Sequence, residues 1–574
     1  MSNIFDRRRK ELEKRFPVWE RLTLGDRFDK LVEEFADREF IFTLNQSFSY
    51  REVQNKSNQL AKGLLKLGIK PREHVAVLMA NYPEFIFLTF ALAKIGAVKV
   101  PLNYRMRSEE LAYAVKQSDS VCLIAMERNP EVTYSEIIPV LFPEILEGKT
   151  SLQFPRLRKI VAFSETGNRE ISGAIDFDEL MTWGAEVPDA ELEQVQARVK
   201  YPDEVVDILY TSGTTSDPKG VMLTHDMLWR SAYGSCLSRA FEDGRRIFVP
   251  IPFFHVFGYV EGILAGSIVG GAVIPQIKFN VPEAFQLIAK GKVNDILCVS
   301  AIAENLVNYP ELKSHDLSEL RAMYCAGTPV PLWTWKKIQQ ELNLTELNTG
   351  YGMTEVCAGS MQTAPGDPVE IISTRVGRQM PGGCSGLPEF GYKHTEYKVV
   401  DPLSGEDLPP GSEGELACRG NIVTKGYYNK PIETAQVVDK DGWLRTGDIG
   451  IIHSDGYFEL TGRSKEMYKI GGENVSPKEI EQTIEQLPKV VRAVVVGVPD
   501  RKMGEVGVAF VEVKQGENCT CEDIIDHCSK KLAKFKVPKH VKILKEEEFP
   551  FNASGKIQKF KLQEMVIQEF GLKN

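Results

Sequence analysis

The stretch Ile208–His225, ILYTSGTTSDPKGVMLTH, sets Thr211, Ser212, Gly213, Thr214, Thr215 and Ser216 directly after an apolar run and ahead of Lys219 and Gly220. Small hydroxyls and glycine N–H groups converge on an anion, because glycine tolerates φ > 0 and lets backbone approach closely. Lys219 adds a point charge suited to phosphate, and Pro218 stiffens the loop ahead of it. The natural ligand of such a loop is a polyphosphate. The spacing is not that of the common P-loop, G-x-x-x-x-G-K-[ST], since Gly213 stands six residues before Lys219 and Gly220 follows the lysine. Taken alone, a Ser/Thr-rich surface turn has the same composition.

Outward from that loop, strand-like runs alternate with helical patterns. HVAVLMA (His74–Ala80) is followed by PEFIFLTFALAKIGA (Pro83–Ala97), VKVPLN, SEELAYAVKQS (Ser108–Ser118) and SVCLIA. RRIFVPIP, AFQLIAK, DILCVS and RAMYCAG repeat the theme. Such alternation predicts parallel sheets with helices on their faces. From about Gly377 the chain reads as short strands joined by turn dipeptides, as in YKVVDPLSGEDLPPGSEGELACRG, a barrel-like unit over about 377–461. Beyond a charged turn come a capped helix near Ser476-Pro477, the strands RAVVVGVPD and VGVAFVEV, a further helix and a last strand near HVKILK. The expected architecture is a large α/β N-terminal domain over 1–463, holding two βαβ-type sheet subdomains plus a small β-barrel. A hinge at 464–466 leads to a smaller mobile α+β C-terminal domain over 467–574, because domains joined by a short polar linker move against each other by default.

The net charge of -9 excludes a nucleic-acid binder living on a global basic field. Ten cysteines without a regular framework suit reduced thiols and predict a cytoplasmic protein. CTCEDIIDHC (Cys519–Cys528) lacks zinc-site spacing and reads as a helix starting near Thr520. The charged start, MSNIFDRRRKELEKRFPVWERL, is no signal peptide and reads as a solvated helix, with peripheral membrane contact as the alternative. Ile247–Ile277 holds Glu261 as its only acid, but Pro250, Pro252, Pro275 and its glycines break it into strand, loop, short helix and strand, a buried core and not a membrane span.

TSGTTSDPKG resembles the phosphate loop of the adenylate-forming superfamily: acyl- and aryl-CoA synthetases, peptide-synthetase adenylation domains and firefly luciferases. Relatives usually carry glycine where Ser216 stands. PFFHVFG (Pro252–Gly258) resembles the acid-pocket aromatic segment, and NTGYGMTE (Asn348–Glu355) the adenine and magnesium segment. GWLRTGDIG (Gly442–Gly450), GRSKEMYKIGGENVSPKEIE and NASGKIQK (Asn552–Lys559) continue the match in order. Six ordered matches identify the chain as a member, within the acyl-CoA synthetase (AMP-dependent synthetase and ligase) family.

The resemblance implies ATP, Mg2+ and coenzyme A, and assigns roles residue by residue. Thr211, Ser212, Gly213, Thr214, Thr215 and Lys219 hold the phosphates. Gly327, Thr328, Tyr351, Gly352, Met353 and Thr354 border the adenine and phosphates, and Glu355 is the magnesium ligand. Asp448 takes the ribose hydroxyls with Arg463 beside it. Lys556 bridges the anions during adenylation; His255 and Thr354 complete the catalytic set. His255, Val256, Phe257, Cys325, Gly350, Gly352 and Cys357 form the acyl pocket. Lys465 and Glu466 are the hinge, where most relatives carry Asp at the position of Glu466, and Gly471 and Gly472 admit the pantetheine arm. The small, apolar pocket suits a fatty, medium-chain, aryl or carnitine-like acid, although Ser300 and Ala301 depart from the family pattern. A stand-alone acyl-AMP ligase loading a carrier protein is the runner-up. No sequence feature supports a luciferase-like oxygenase, and a non-catalytic nucleotide-binding regulator fits less well, because Lys219, Glu355, Asp448 and Lys556 are all present.

Overall fold

The computed structural model describes residues 2–569 except 130, 212–217, 328–329, 465, 471–472, 501–502 and 552–556, with backbone alone at 2, 3, 473 and 474. The chain forms two compact units. Met1–Gly213, Asp217–Glu396 and Arg419–Leu444 make the first, and Tyr397–Cys418 with Arg445–Asn574 make almost all of the second.

The first unit is built on two seven-stranded sheets. One runs in the order Ile175–Asp176, Lys159–Phe163, Cys122–Met126, His74–Leu78, Val98–Leu102, Val205–Thr211, Lys219–Thr224. It is parallel up to Val205–Thr211, and only its last strand is antiparallel. The helices Pro83–Lys94 and Ser108–Gln117 make its crossovers, as the alternating pattern predicts. Pro83 opens its helix at the position where a missing N–H costs nothing. Nearly every residue of that helix is buried, because it lies between layers instead of on the surface. The second sheet runs Glu346–Asn348, Ala322–Cys325, Asp295–Cys298, Arg246–Val249, Ala272–Pro275, Glu39–Phe42, Ser47–Ser49. Successive side chains of a strand face opposite ways. On Ala322–Cys325 this sends Met323 and Cys325 into one core cluster and Tyr324 into the other.

The second unit carries a four-stranded sheet (Thr395–Val400, Glu413–Gly420, Leu444–Ile452, Phe458–Arg463) and a mixed sheet around Val490–Asp500 and Gly504–Val513. Val490–Asp500 divides its side chains the same way. Val494, Val496 and Val498 meet Leu562 and Val566 of the helix Lys559–Glu569, while Ala493 and Val495 meet Ile480 and Ile484 of Pro477–Glu485. This strand is an edge, and its outward N–H groups are covered: Val495 donates to Glu481 (2.8 Å) and Ala493 to Glu485 (3.2 Å).

Three local expectations change. The N-terminal helix Ser2–Arg15 is not a solvated rod, since Phe5 and Leu12 are buried and Arg8 pairs with Glu346 at 2.8 Å. Ser476 precedes its helix as expected, yet its hydroxyl donates to the Thr461 carbonyl (2.5 Å) instead of capping it. Lys559 reads as solvated beside Lys561, but its ammonium bridges Glu466 (2.6 Å) and Glu481 (2.8 Å). The helix after Thr520 forms as read, with a Thr520–Asp523 capping box, and all ten cysteines are free thiols.

Candidate functional site

The sheet ends in a hairpin whose two strands hold Thr211 and Lys219 directly opposite each other. The loop between them, with Ser212, Gly213, Thr214 and Thr215, lies outside the described residues, as do Thr328, Lys465, Gly471, Gly472 and Lys556. The base of the loop is fixed: Tyr113, on the helix Ser108–Gln117, donates to the Pro218 carbonyl at 3.0 Å.

A segment that the sequence did not single out completes this edge. Met222 N–H donates to Gly426 O (3.0 Å) and Tyr428 N–H to Gly220 O (2.8 Å), so residues 425–428 lie along the strand Lys219–Thr224. The pairing places Tyr427 opposite Val221. Its hydroxyl donates to Glu355 Oε1 at 2.8 Å, and the Lys219 ammonium lies 4.9 Å from its ring centroid. One buried tyrosine therefore contacts both the phosphate-loop cation and the expected magnesium carboxylate. Burial and the adjacent Glu355 push its phenol well above the ordinary value, so it stays protonated and donates. Thr424 N–H also donates to the Glu355 carbonyl (2.8 Å), fixing that backbone.

Glu355 sits in a tight turn, Thr354–Val356, both Thr354 and Glu355 being buried. The turn leaves through Cys357 at φ 60° and Ala358 at φ 95°, two consecutive non-glycine residues in the left-handed region. Such strain gathers at ligand sites. Ahead of the turn, Gly352 admits no side chain, because a methyl group there would collide with the Ala358 carbonyl. Tyr351 is buried, while Gly352 and Gly327 are exposed; Met353 is half-buried. A buried carboxylate positioned by the Tyr427 hydroxyl suits magnesium, which takes one or two carboxylates and completes its shell with phosphate oxygens and water.

His255 is exposed, and its Nδ1 accepts from Phe257 N–H at 3.2 Å. Val256, Cys357 and Tyr324 belong to one core cluster, and Phe257 packs against it with its ring edge to face on Tyr324. Cys325 does not join them, packing with Cys298 and Ala303 on the opposite face. In the second unit, Asp448 and Arg463 are cross-strand partners, with Arg463 Nε 3.0 Å from the buried Asp448 Oδ1. Among the described residues no helix is long and apolar enough to cross a membrane.

The sequence matches the family described as AMP-binding enzyme over residues 28–428, and the AMP-binding enzyme C-terminal domain over 479–556. It is 35% identical to YngI of Bacillus subtilis (strain 168), covering 96% of this chain and 98% of that protein. It is 31% identical to the mitochondrial medium-chain acyl-CoA ligase ACSF2 of Danio rerio, covering 94% of this chain and 88% of that protein. The crystal structure of the anthranilate CoA ligase AuaEII with anthranoyl-AMP shares the fold, with a TM-score of 0.81, 24% identity and coverage of 96% of this chain and 99% of that one. With a lysine and a carboxylate meeting at one tyrosine beside the hairpin, and these matches over nearly the whole length, the chain belongs to the AMP-binding enzyme family and is an AMP-forming acyl-CoA ligase, using ATP and coenzyme A on a small-molecule carboxylic acid.

Proposed function

We propose that the acid is an alkyl or aryl carboxylic acid seated against Val256, Phe257 and Cys357, with His255 at its carboxylate. Apolar walls favour an apolar acid, and nothing charged stands among those three side chains. The phosphate loop and Lys219 hold the triphosphate, and Asp448 accepts from the ribose hydroxyls with Arg463 steadying it. The reaction begins when the acid carboxylate attacks the α-phosphorus of ATP, forming acyl-AMP and releasing pyrophosphate. Two anions approach in that step, and Lys556 spans them. At ~4 Å and an effective dielectric near 20 its Coulomb contribution is on the order of 4 kcal/mol. Coenzyme A thiolate then attacks the acyl carbon and AMP departs. The part of the chain beyond Lys465-Glu466 turns between the two steps, taking Lys556 away and bringing Gly471-Gly472 beside the pantetheine arm.

Glu355 is the residue that would hold Mg2+, which when bound neutralises phosphate charge. The single observation carrying this reading is the Lys219–Tyr427–Glu355 contact set, which places a fixed cation and a fixed carboxylate on one aromatic side chain. The test is carboxylate-dependent exchange between ATP and labelled pyrophosphate. Each ~1.4 kcal/mol is tenfold in rate, so Lys556→Ala should slow exchange roughly a hundred- to a thousandfold while ATP still binds. An unchanged exchange rate removes Lys556 from the mechanism.

A further inference from the structure

The strand Ala322–Cys325 turns Tyr324, and not Cys325, toward Phe257. The Tyr324 ring meets Phe257 edge to face, with centroids 5.3 Å apart and planes at 89°. Its hydroxyl reaches the glycine at 350, where an added methyl group would collide with it and lie 2.7 Å from the Met361 carbonyl. Tyr324 is 2% exposed and lies between Phe257 and Gly350, its ring against the first and its hydroxyl against the second.

What stands behind it is polar. The Arg239 guanidinium lies 5.0 Å from the Tyr324 ring centroid and 3.6 Å from Glu261. Glu261, fully buried, accepts from Gly359 N–H (3.2 Å), from the Ser235 hydroxyl and from Gln362 Nε2 (3.3 Å). Gln362 gives its N–H group to that carboxylate, and among the described residues its Oε1 is buried without a donor. Buried acceptors are normally paired. The Gln362 Cγ also lies 3.1 Å from the same methyl position at Gly350, beside the tyrosine hydroxyl.

Resting on the acid site proposed above, we infer that Tyr324 is the residue that ends the acid pocket, and that with Gln362 it makes this end polar. The favoured acid is then compact, of aryl or short-chain size, and carries a hydrogen-bond donor at the end remote from its carboxylate. A long alkyl chain meets the tyrosine ring, and its terminal methyl cannot pair the carboxamide oxygen. A hydrogen-bond donor reaching a buried partner discriminates strongly against an analogue lacking it.

The experiment compares kcat/KM for thioester formation with benzoate, 4-hydroxybenzoate, hexanoate, octanoate and dodecanoate, in the full-length wild type, Tyr324→Phe and Tyr324→Ala. The wild type should favour 4-hydroxybenzoate over benzoate by about tenfold and disfavour dodecanoate by a hundredfold or more. Tyr324→Phe keeps the ring and should lower the preference for the hydroxylated acid severalfold, with chain-length selectivity unchanged. Tyr324→Ala should raise the octanoate-to-benzoate ratio at least tenfold. If Tyr324→Ala does not fold, Tyr324→Leu carries the chain-length arm. A wild type that prefers dodecanoate, or ratios that do not move in the variants, overturns the inference. Failure of every acid to support exchange or thioester formation overturns the acid site itself, and is told apart by the pyrophosphate-exchange signal.

Discussion

At the scale of single residues, the decisive contact is one that composition does not reveal. Tyr427 donates to Glu355 and lies under Lys219. Hydrogen bonds to a charged partner contribute about 1.5–3 kcal/mol. Tyr427→Phe keeps the ring against the ammonium and removes only that bond. Pyrophosphate exchange should fall about tenfold, and the magnesium concentration giving half-maximal rate should rise, while KM for the acid stays put. A fall in rate with an unaltered magnesium dependence would make Tyr427 a packing residue and nothing more. Lys219, Glu355 and Asp448 were legible as candidates because each sits in an ordered motif. Tyr427 was not, because its place depends on residues 425–428 pairing with a strand some two hundred positions earlier in the chain. Tyr324 was hidden for a similar reason. Sequence resemblance points to Cys325, whereas the pleat of the strand sends Tyr324 into the core cluster that holds Val256 and Cys357, and Cys325 into the other.

At the scale of elements, hydrophobic patterning specified most helices and strands. The run from His74 to Met126 folds as strand, helix, strand, helix, strand, because apolar periodicity and turn residues agree there. Hydrophobic pattern does not encode the strained exit of the Thr354–Val356 turn, with Ala358 at φ 95°. An alanine in the left-handed region costs roughly 1 kcal/mol relative to glycine. Ala358→Gly should therefore raise the thermal midpoint by one to several degrees, and exchange activity will show whether the strain also tunes the turn; a lowered midpoint would show that the alanine methyl packs more than it strains. The extended ion network around Lys559 teaches a related lesson. Lysines at 559 and 561 look alike in sequence, and only the fold of the C-terminal helix against Glu466 and Glu481 separates them.

At the scale of the whole molecule, two buried histidines couple stability to pH. Burial lowers His225 and His394 from 6.5 to about 4, the first with its Nδ1 accepting from Leu24 N–H at 3.0 Å. Below 6.5 the unfolded chain takes up protons that the folded chain refuses. Their contribution is complete above 6.5, falls as pH drops, and is gone near 4. Shifts of this size correspond to about 3 kcal/mol for each histidine. Urea unfolding should show a lower midpoint at pH 5 than at pH 7.5, with a shallower slope against pH in His225→Asn. Equal midpoints in the wild type at both values would mean that neither histidine is excluded from protonation.

The sequence by itself determined the α/β class, the adenylate-forming motifs and the charged candidates for phosphate chemistry, because those depend on local periodicity and on residue types at short spacing. The tertiary structure alone decided which tyrosine braces Glu355, which face of the strand Ala322–Cys325 packs against Phe257 and which lysine is held in ion pairs. Those outcomes follow from pairings between distant segments, whose free energy is set by packing and desolvation that no local pattern records.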